Sequence, residues 1–256
     1  YKANANDANG AVTYSIAFSD IAANAGTPVT SGSGSITTDT SIPTLSAVSI
    51  SSNNANRSKA TPTDIVTLSF TSSETIQSPT VTFASGGAAI NGNIIVSNTS
   101  GNNWAASFTA ASNDTAGPAT YNISFKDTAG NSGTAVTTTT DTSSVAVVID
   151  SDLPILLSST PSDDSRAVKL DQNIILRFSE NITSGSGTIK LFDIDDELVE
   201  AFTVSSSIIS GSTVTLNPST DLASLSSYYI QIPSTAFVDA AGNAFVGISN
   251  KTALNF

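Results

Sequence analysis

Acidic and amide side chains recur along this chain at positions where they could bind a cation. The tract Asp-x-Ala-(Gly/Ala)-Asn occurs three times, at 20–24, 127–131 and 239–243. Ca²⁺ takes six to eight oxygen ligands from carboxylates, Asn amides and backbone carbonyls, and Asp-rich turns offer all three. The Asp and Asn of the second and third tracts are therefore candidate calcium ligands.

Two further sets of acids recur with the same repeat. One set lies in the segments 39–43 and 150–154, which share the form Asp-x-x-x-Pro, and the other ends two predicted strands. The complete candidate calcium set is Asp39, Glu74, Asp127, Asn131, Asp150, Asp152, Glu180, Asp239 and Asn243. The alternative is that each turn Asp accepts backbone N–H bonds in its own hairpin, while Gly and Asn supply left-handed conformations.

The composition excludes several kinds of catalysis. The 256 residues include no Cys, no Met and no His. Disulfides, thiolate nucleophiles, Ser-His-Asp triads and His- or Cys-bound metals are therefore impossible. An accessory module of a glycoside hydrolase would need two opposed carboxylates in an aromatic cleft, but only 7% of the residues are aromatic. We therefore expect that this chain is not an enzyme.

The charge balance indicates which partners the chain prefers. Nine Lys and Arg oppose 21 Asp and Glu, which gives a formal net charge of −12 and a sequence pI near 4.1. Such a charge disfavours nucleic acid and anionic membranes and favours divalent cations. No run approaches the roughly 20 apolar residues that span a bilayer, and no leader is visible. We expect no direct membrane insertion by this segment and place any export signal or anchor outside it.

The spacing of the three tracts predicts a tandem array of domains. Asp20, Asp127 and Asp239 are 107 and 112 residues apart, about the length of one immunoglobulin-like sandwich. At an offset of 107, the pattern from Asn6 to Asp20 repeats from Asn113 to Asp127, so we expect the chain to begin inside a strand of a longer protein. The predicted domains are 1–42, the C-terminal part of a first unit; 43–151, a complete second unit; and 152–256, a third unit.

Short apolar runs that alternate with period two predict strands rather than a disordered Ser/Thr-rich chain. In the second unit the predicted strands are 45–50, 65–70, 81–84, 94–96, 104–109, 121–125 and 135–140. In the third unit they are 174–178, 188–192, 198–204, 213–216 and 228–232, with 253–256 as a possible closing strand. Alternation along 14–18 and 121–125 predicts one face against the opposing sheet and one face in water. No segment predicts a long helix.

Several individual side chains have competing interpretations. Trp104 could stack on a sugar, but a single Trp in a strand is more typical of a sandwich core. Tyr14, Tyr121 and Tyr228 each precede a tract, by 6, 6 and 11 residues, and we predict for them a tyrosine corner with the hydroxyl bonded to nearby backbone. The acidic segment 193–197 lies between two strands and favours a hydrated hairpin tip over an ion site.

Certain motifs resemble a known family. They are Phe70-Thr71-Ser72-Ser73-Glu74, Phe178-Ser179-Glu180, the segment from Tyr228 to Pro233, and the three Asp-x-Ala-(Gly/Ala)-Asn turns. Together they resemble the tandem immunoglobulin-like repeats of prokaryotic S-layer proteins and large surface adhesins, over essentially the whole chain. The first copy departs from the pattern with Ala23 in place of Gly.

The resemblance implies an all-β fold of tandem immunoglobulin-like or fibronectin III-like β-sandwich domains in an extended rod. The Pro in each linker restricts its neighbours, which favours stiff junctions. The implied function is a structural segment of an extracellular S-layer protein on the cell envelope, self-assembling with its own copies and stabilised by Ca²⁺. The alternative is the stalk of an adhesin or fibre that projects a binding tip. Among six Asn-x-Ser/Thr tracts, we expect glycosylation first at Asn56 and Asn98, in predicted loops.

Overall fold

The chain is an all-β protein. The computed structural model describes residues 1–4, 6–141 and 146–256. Within these residues the regular structure consists of strands and one turn of 3₁₀ helix, Ser206–Ile208. None of the described segments forms a helix with the length and apolar character that a bilayer crossing demands.

The first unit is a small antiparallel arrangement. Strands β1 (Gly10–Ala11) and β2 (Thr37–Thr38) pair with each other, and isolated bridges join Ile16 to Val29 and Ser19 to Ala25. The alternating side chains of this unit are open to solvent, with Tyr14 46%, Ile16 56% and Phe18 55% exposed. No second sheet covers this face among the described residues, so a buried face along 14–18 stays a prediction.

The second unit is a sandwich of two sheets. Its strands are β3 (Leu45–Ser52), β4 (Lys59–Ala60), β5 (Ile65–Ser72), β6 (Thr80–Ser85), β7 (Ala88–Ala89), β8 (Ile95–Ser100), β9 (Asn103–Thr109), β10 (Gly117–Ser124) and β11 (Val148–Ile149). One sheet has the order β3-β5-β9-β8 and the other β4-β11-β10-β6-β7. Strand β11 pairs parallel to β4, and the other ladders of this unit are antiparallel.

Period-two alternation builds the core between these sheets. In β5, Val66, Leu68 and Phe70 are at most 2% exposed, whereas the residues between them are more exposed. Tyr121 and Ile123 of β10 face them from the other sheet and lie in the same apolar cluster. Burying each such large side chain contributes about 1.5–3 kcal/mol, so this cluster dominates the stability of the unit.

The third unit repeats this architecture. Its strands are β12 (Leu156–Thr160), β13 (Ile174–Phe178), β14 (Thr183–Ser184), β15 (Thr188–Asp193), β16 (Leu198–Thr203), β17 (Ile209–Ser210), β18 (Thr213–Leu216), β19 (Tyr228–Gln231) and β20 (Phe237–Val238). The sheets have the orders β12-β13-β18-β17 and β16-β15-β19, with a separate β14-β20 ladder. Its apolar cluster shares no residue with that of the second unit. Two separate cores are therefore present, while the predicted domain limits at 42 and 151 stay predictions.

Most predicted strands are present, with differences of a few residues at their ends. Segment 135–140 is not a strand: Val136 makes one bridge to Ile123, and the Thr140 N–H bonds the Val48 carbonyl. Segment 253–256 pairs with β19 through single bonds and a Tyr229–Asn255 bridge. In the acidic segment 193–197, the Asp193 carboxylate accepts N–H bonds from Asp195 and Glu197, which confirms an exposed hairpin tip.

The predicted aromatic roles are confirmed only in part. Trp104 is half-buried and packs against the edge of the second core, not at its centre. Tyr228 forms the predicted corner, since its hydroxyl accepts the Ala223 N–H at 2.7 Å. Tyr121 does not: its hydroxyl is buried and has no hydrogen-bond partner among the described residues. Desolvation alone raises the pKa of Tyr121 to about 12.

This difference between Tyr121 and Tyr228 predicts different mutational effects. Tyr228→Phe is expected to lower the free energy of unfolding by about 1 kcal/mol, because the part-buried hydrogen bond from the Ala223 N–H loses its acceptor. Tyr121→Phe is expected to be neutral or stabilising, because it removes a buried hydroxyl that makes no bond. Urea denaturation of the two variants beside the parent chain measures both changes, and equal losses would contradict the assignment.

Candidate cation sites at the junctions

A Ser-Glu pair at the end of a strand positions one carboxylate at each junction. Ser73 donates its N–H to the Thr44 carbonyl, and its hydroxyl accepts the Thr44 N–H at 3.0 Å. Ser179 makes the same pair of bonds with Ile155, at 2.9 and 3.1 Å. These reciprocal bonds fix the chain just after each linker Pro against the end of the preceding ladder. The following residues, Glu74 and Glu180, are thereby placed beside the linker.

The structure brings six of the nine candidate residues into two carboxylate triads. The first triad joins Asp39, Glu74 and Asp127, with one oxygen from each within 4.8 Å of the others. The second joins Asp150, Glu180 and Asp239 under the same distance limit. In both triads the linker Asp and the Glu are partly buried and the turn Asp is buried. Each triad therefore contains a linker acid, a strand-end acid and a turn acid.

The two candidate Asn residues tie the turn to the linker. The Asn131 side-chain amide donates to Asp127 Oδ2 at 2.7 Å and to the backbone carbonyl of Asp39 at 2.9 Å. Asn243 donates in the same way to Asp239 Oδ2 at 2.8 Å and to the Asp150 carbonyl at 3.1 Å. In this geometry each Asn amide nitrogen holds the triad together instead of offering an oxygen to a cation.

Hydrogen bonds within each turn match the alternative interpretation, in which the turn Asp accepts backbone N–H bonds of its own hairpin. Asp127 Oδ1 accepts N–H bonds from Gly130 and Asn131, and Asp239 Oδ1 accepts them from Ala241, Gly242 and Asn243. A carboxylate has about four acceptor positions. Both turn acids therefore keep acceptor capacity on Oδ2, and the hairpin role and a cation role are compatible.

The remaining candidate, Asp152, lies outside the second triad. It is exposed, and its N–H donates to Asp150 Oδ1 at 3.3 Å. Ser41 occupies the equivalent place in the first linker and donates its N–H to Asp39 Oδ1. Because the first linker has Ser at this place, the geometry that the two linkers share depends on the backbone N–H and not on the Asp152 side chain.

The electrostatics of both sites favour a cation. Desolvation, followed by repulsion from Asp39 and Asp127, raises the pKa of Glu74. Desolvation and repulsion from Asp239 likewise raise the pKa of Glu180 and of Asp150. Desolvation also opposes ionisation of Asp127, but bonds from Asn131 and Gly130 outweigh it and lower its pKa overall. The carboxyls of Glu180 and Asp150 at the second site therefore ionise less readily than usual, and a bound cation would favour their ionised forms.

These shifts predict a pH dependence of cation binding. A carboxyl whose folded-state pKa is raised favours folding fully below its unfolded pKa, and this contribution is lost as the pH rises through the folded pKa. At neutral pH a bound cation offsets that loss, whereas near pH 4 protons compete for the same oxygens. The calcium-dependent rise in melting temperature is expected to be large near pH 7 and to shrink toward pH 4. Calorimetry at both pH values, with calcium or chelator, measures it.

The turn itself requires a left-handed residue at its fourth position. Gly130 has φ 101° and Gly242 has φ 104°, while the departing residue Ala23 adopts φ 66°. A non-glycine residue in this region costs about 1 kcal/mol, so Ala23 carries backbone strain. Asp20 of this first tract accepts the same Asn24 bonds but is exposed and belongs to neither triad.

Sequence reasoning missed two polar contacts near the second junction. Asn54 of the second unit donates its amide to the Ala241 carbonyl of the third at 3.1 Å, and the Ser151 hydroxyl in the linker donates to the Asp114 carbonyl of the second unit at 3.3 Å. No repeated motif marks either donor. The sequence did contain a signal for Ser73 and Ser179, because a Ser immediately precedes the candidate Glu in both units.

The two candidate glycosylation sites differ in their local structure. Asn56 is exposed in the loop between β3 and β4, and its side-chain oxygen accepts the Ser58 N–H and hydroxyl. Asn98 is also exposed, but the prediction that it lies in a loop is wrong, because it pairs with Trp104 inside β8. Its position on an edge strand explains its exposure.

Comparison with known proteins identifies the type of domain. Residues 150–256 match the family model described as the bacterial Ig-like domain. No curated protein sequence matches the chain. The match covers the whole third unit. Tandem Ig-like β-sandwich domains are thus the fold of this chain, which indicates a structural or surface module.

Solved structures of tandem Ig domains are also similar. The titin I-band fragment I67–I69 is 15% identical, with a TM-score of 0.39 over 79% of this chain and 62% of the fragment. The two Ig domains of DIP-gamma are 11% identical, with a TM-score of 0.38 over 81% of this chain and 95% of theirs. The mouse nectin-like molecule 4 ectodomain is 12% identical, with a TM-score of 0.33 over 78% of this chain and 63% of the ectodomain. The chain thus spans less than two thirds of the titin fragment.

Proposed function

We propose that the chain is a structural segment of a cell-surface S-layer protein, in which Ca²⁺ binds between the carboxylates at each junction and stiffens the array. The observation that carries this proposal is the recurrence of one triad, with the same linker, strand-end and turn acids, at two successive junctions. A turn that served only its own hairpin would not need the linker Asp or the Glu. The role is mechanical, and no catalysis is involved.

Calcium would act by joining the linker to the unit that follows it. At the second junction the linker is already fixed to the second unit, where the Asp150 N–H bonds the Ala60 carbonyl at 2.9 Å. The Asp150 carboxylate faces Glu180 and Asp239 of the third unit. Three carboxylates supply three to six of the six to eight oxygens that Ca²⁺ takes, and waters complete the shell. A cation there would restrict the angle between the two units.

The negative net charge and the hydroxyl-rich surface suit a hydrated coat outside the cell. Bacterial Ig-like domains are often extracellular, which supports a place on the cell envelope. Divalent cations would also reduce repulsion between copies that each carry a charge of −12. Exposed Asn56 and Asn98 remain the proposed glycan positions.

Electron microscopy of the purified chain tests this function. With millimolar calcium we expect two-dimensional sheets or ordered arrays, and with chelator we expect dispersed particles. An adhesin stalk, the competing function, would show stiff single rods in calcium and no arrays. Dispersed and equally flexible particles in both conditions would contradict the proposal as a whole.

A further inference from the structure

The loop between β3 and β4 of the second unit contacts the third unit directly. The Asn54 side chain in this loop donates an amide N–H to the Ala241 carbonyl at 3.1 Å, in a part-buried bond. Ala241 is only 2% exposed, and a backbone polar group at such a place needs a partner inside the protein. A side chain of the second unit therefore satisfies a backbone carbonyl of the third.

Asn54 is held in position by its own unit. Its amide also donates to Asp64 Oδ2 at 2.7 Å, and its side-chain oxygen accepts the Asn56 N–H at 2.9 Å. An Asn amide has two N–H donors, so one is available for each acceptor. The bond to Asp64 ends on a carboxylate, and such bonds are roughly twice as strong as neutral ones. Bonds within the second unit therefore orient the donor that reaches the third.

The third unit is attached to the second at another place as well. The Asn243 side-chain amide donates to the Asp150 carbonyl at 3.1 Å, and the Asp150 N–H bonds the Ala60 carbonyl of the second unit at 2.9 Å. This attachment passes through the linker, whereas the Asn54 bond comes from a loop. A single attachment leaves rotation about it possible, and a second attachment at a different place removes that rotation.

The turn that receives both attachments is itself held by several bonds. Asp239 Oδ1 accepts the N–H groups of Ala241 and Asn243, both at 2.8 Å. The Asp239 N–H bonds the Asn243 carbonyl at 3.0 Å, and a bridge between Val238 and Ala244 closes the base of the turn. Because these bonds tie the turn to the ladder beneath it, a movement of the turn moves the third unit with it.

We propose that Asn54 sets the orientation of the third unit on the second without the help of a cation. Domains joined by a short linker move relative to each other unless a specific interface holds them. Here the linker attachment limits the separation of the two units, and the Asn54 bond limits their rotation. This role goes beyond the proposed calcium-dependent stiffening, because it concerns the junction in the absence of calcium. A cation at the second triad would bind to a junction that is already oriented.

Spin labels on the two units test this role, since the chain contains no Cys that would need removal. Ile95→Cys on edge strand β8 and Leu198→Cys on edge strand β16 place one label on each unit, because these side chains are 65% and 52% exposed. Double electron–electron resonance in chelator measures the distances between the labels. The doubly labelled parent chain should give one narrow distribution. Asn54→Ala should lower the ratio of molecules inside that distribution to molecules outside it about fivefold, as expected for the loss of one hydrogen bond.

Asn56→Ala is the matched control for this experiment. Asn56 lies in the same loop as Asn54, and its side-chain oxygen accepts bonds from Ser58 within that loop. The control should therefore keep the narrow distribution of the parent chain. Trp104 packs on the core of the second unit, so its fluorescence during urea denaturation in chelator checks that both variants keep this unit folded.

The outcomes separate the role of Asn54 from the proposed function. A broader distribution for Asn54→Ala in chelator, with a parent-like distribution for Asn56→Ala, supports the proposal. A narrow distribution for Asn54→Ala, equal broadening in both variants, or a parent chain that is already broad in chelator overturns it. Calcium should narrow the Asn54→Ala distribution again through the second triad. A distribution that ignores calcium would count against the proposed cation site and would leave the result on Asn54 unchanged.

Discussion

Saturating calcium is expected to raise the melting temperature of the chain by about 10–20 °C. A ligand at 100 times its dissociation constant stabilises the folded state by about 2.7 kcal/mol per site. In a domain of about 100 residues, each kcal/mol shifts the melting temperature by roughly 4–8 °C. The stabilisation arises because the cation offsets repulsion among three carboxylates within 4.8 Å of one another. Calorimetry with calcium and with chelator measures the shift.

Glu180→Gln separates cation binding from general stability. The variant removes one carboxylate from the second triad, so the calcium-dependent rise should disappear from the third unit. In chelator the same variant should be at least as stable as the parent chain, because a repulsive charge has been removed. Glu197→Gln, in the exposed hairpin tip, is the matched control and should keep the full calcium response. Equal responses of both variants would show that Glu180 holds no cation.

Phe178→Ala is expected to lower the free energy of unfolding of the third unit by about 3–5 kcal/mol. The Phe178 ring is 3% exposed, and its centroid lies 5.3 Å from that of Phe237 and 5.1 Å from that of Phe245. Truncation leaves a cavity at the centre of these ring contacts and removes most of the apolar burial there. When urea denaturation of this variant in chelator is monitored by circular dichroism, part of the β-sheet signal should be lost at a lower urea concentration than in the parent chain.

Trp104 provides an independent reporter for the second unit in the same experiment. It is the one Trp of the chain and packs on the second core, so its fluorescence should keep the parent midpoint in Phe178→Ala. Phe18→Ala is the control, because Phe18 is 55% exposed and its removal should change stability by less than about 0.5 kcal/mol. A Trp104 midpoint that moves with the circular dichroism would mean that the two cores unfold as one.

The sequence predicts the strands well where burial follows alternation. Strands β5 and β13 were predicted to within two residues, because their apolar residues face a core at every second position. The pattern fails at 135–140, where Thr side chains favour a strand but only one bridge forms. It also fails for short strands such as β4 and β11, because two-residue ladders contain too few residues to show a period.

The sequence predicts the triad residues only as a set of acids that recur with the repeat, and not their grouping into triads. Recurrence nominated Asp39, Glu74 and Asp127 and their counterparts, because an acid that repeats with the unit occupies the same place in each fold. Sequence spacing could not show that Asp152 lies outside, since that depends on which way the linker turns. The sequence also could not show that the Tyr121 hydroxyl has no hydrogen-bond partner among the described residues, because that depends on the packing around it.

Calcium titration by calorimetry tests the central claim most directly. The claim is that each junction holds one cation between a linker acid, a strand-end acid and a turn acid. The parent chain should bind two calcium ions, Glu74→Gln and Glu180→Gln one each at comparable affinity, and the double variant none. Absence of binding to the parent chain, or an unchanged count in both single variants, would contradict the account.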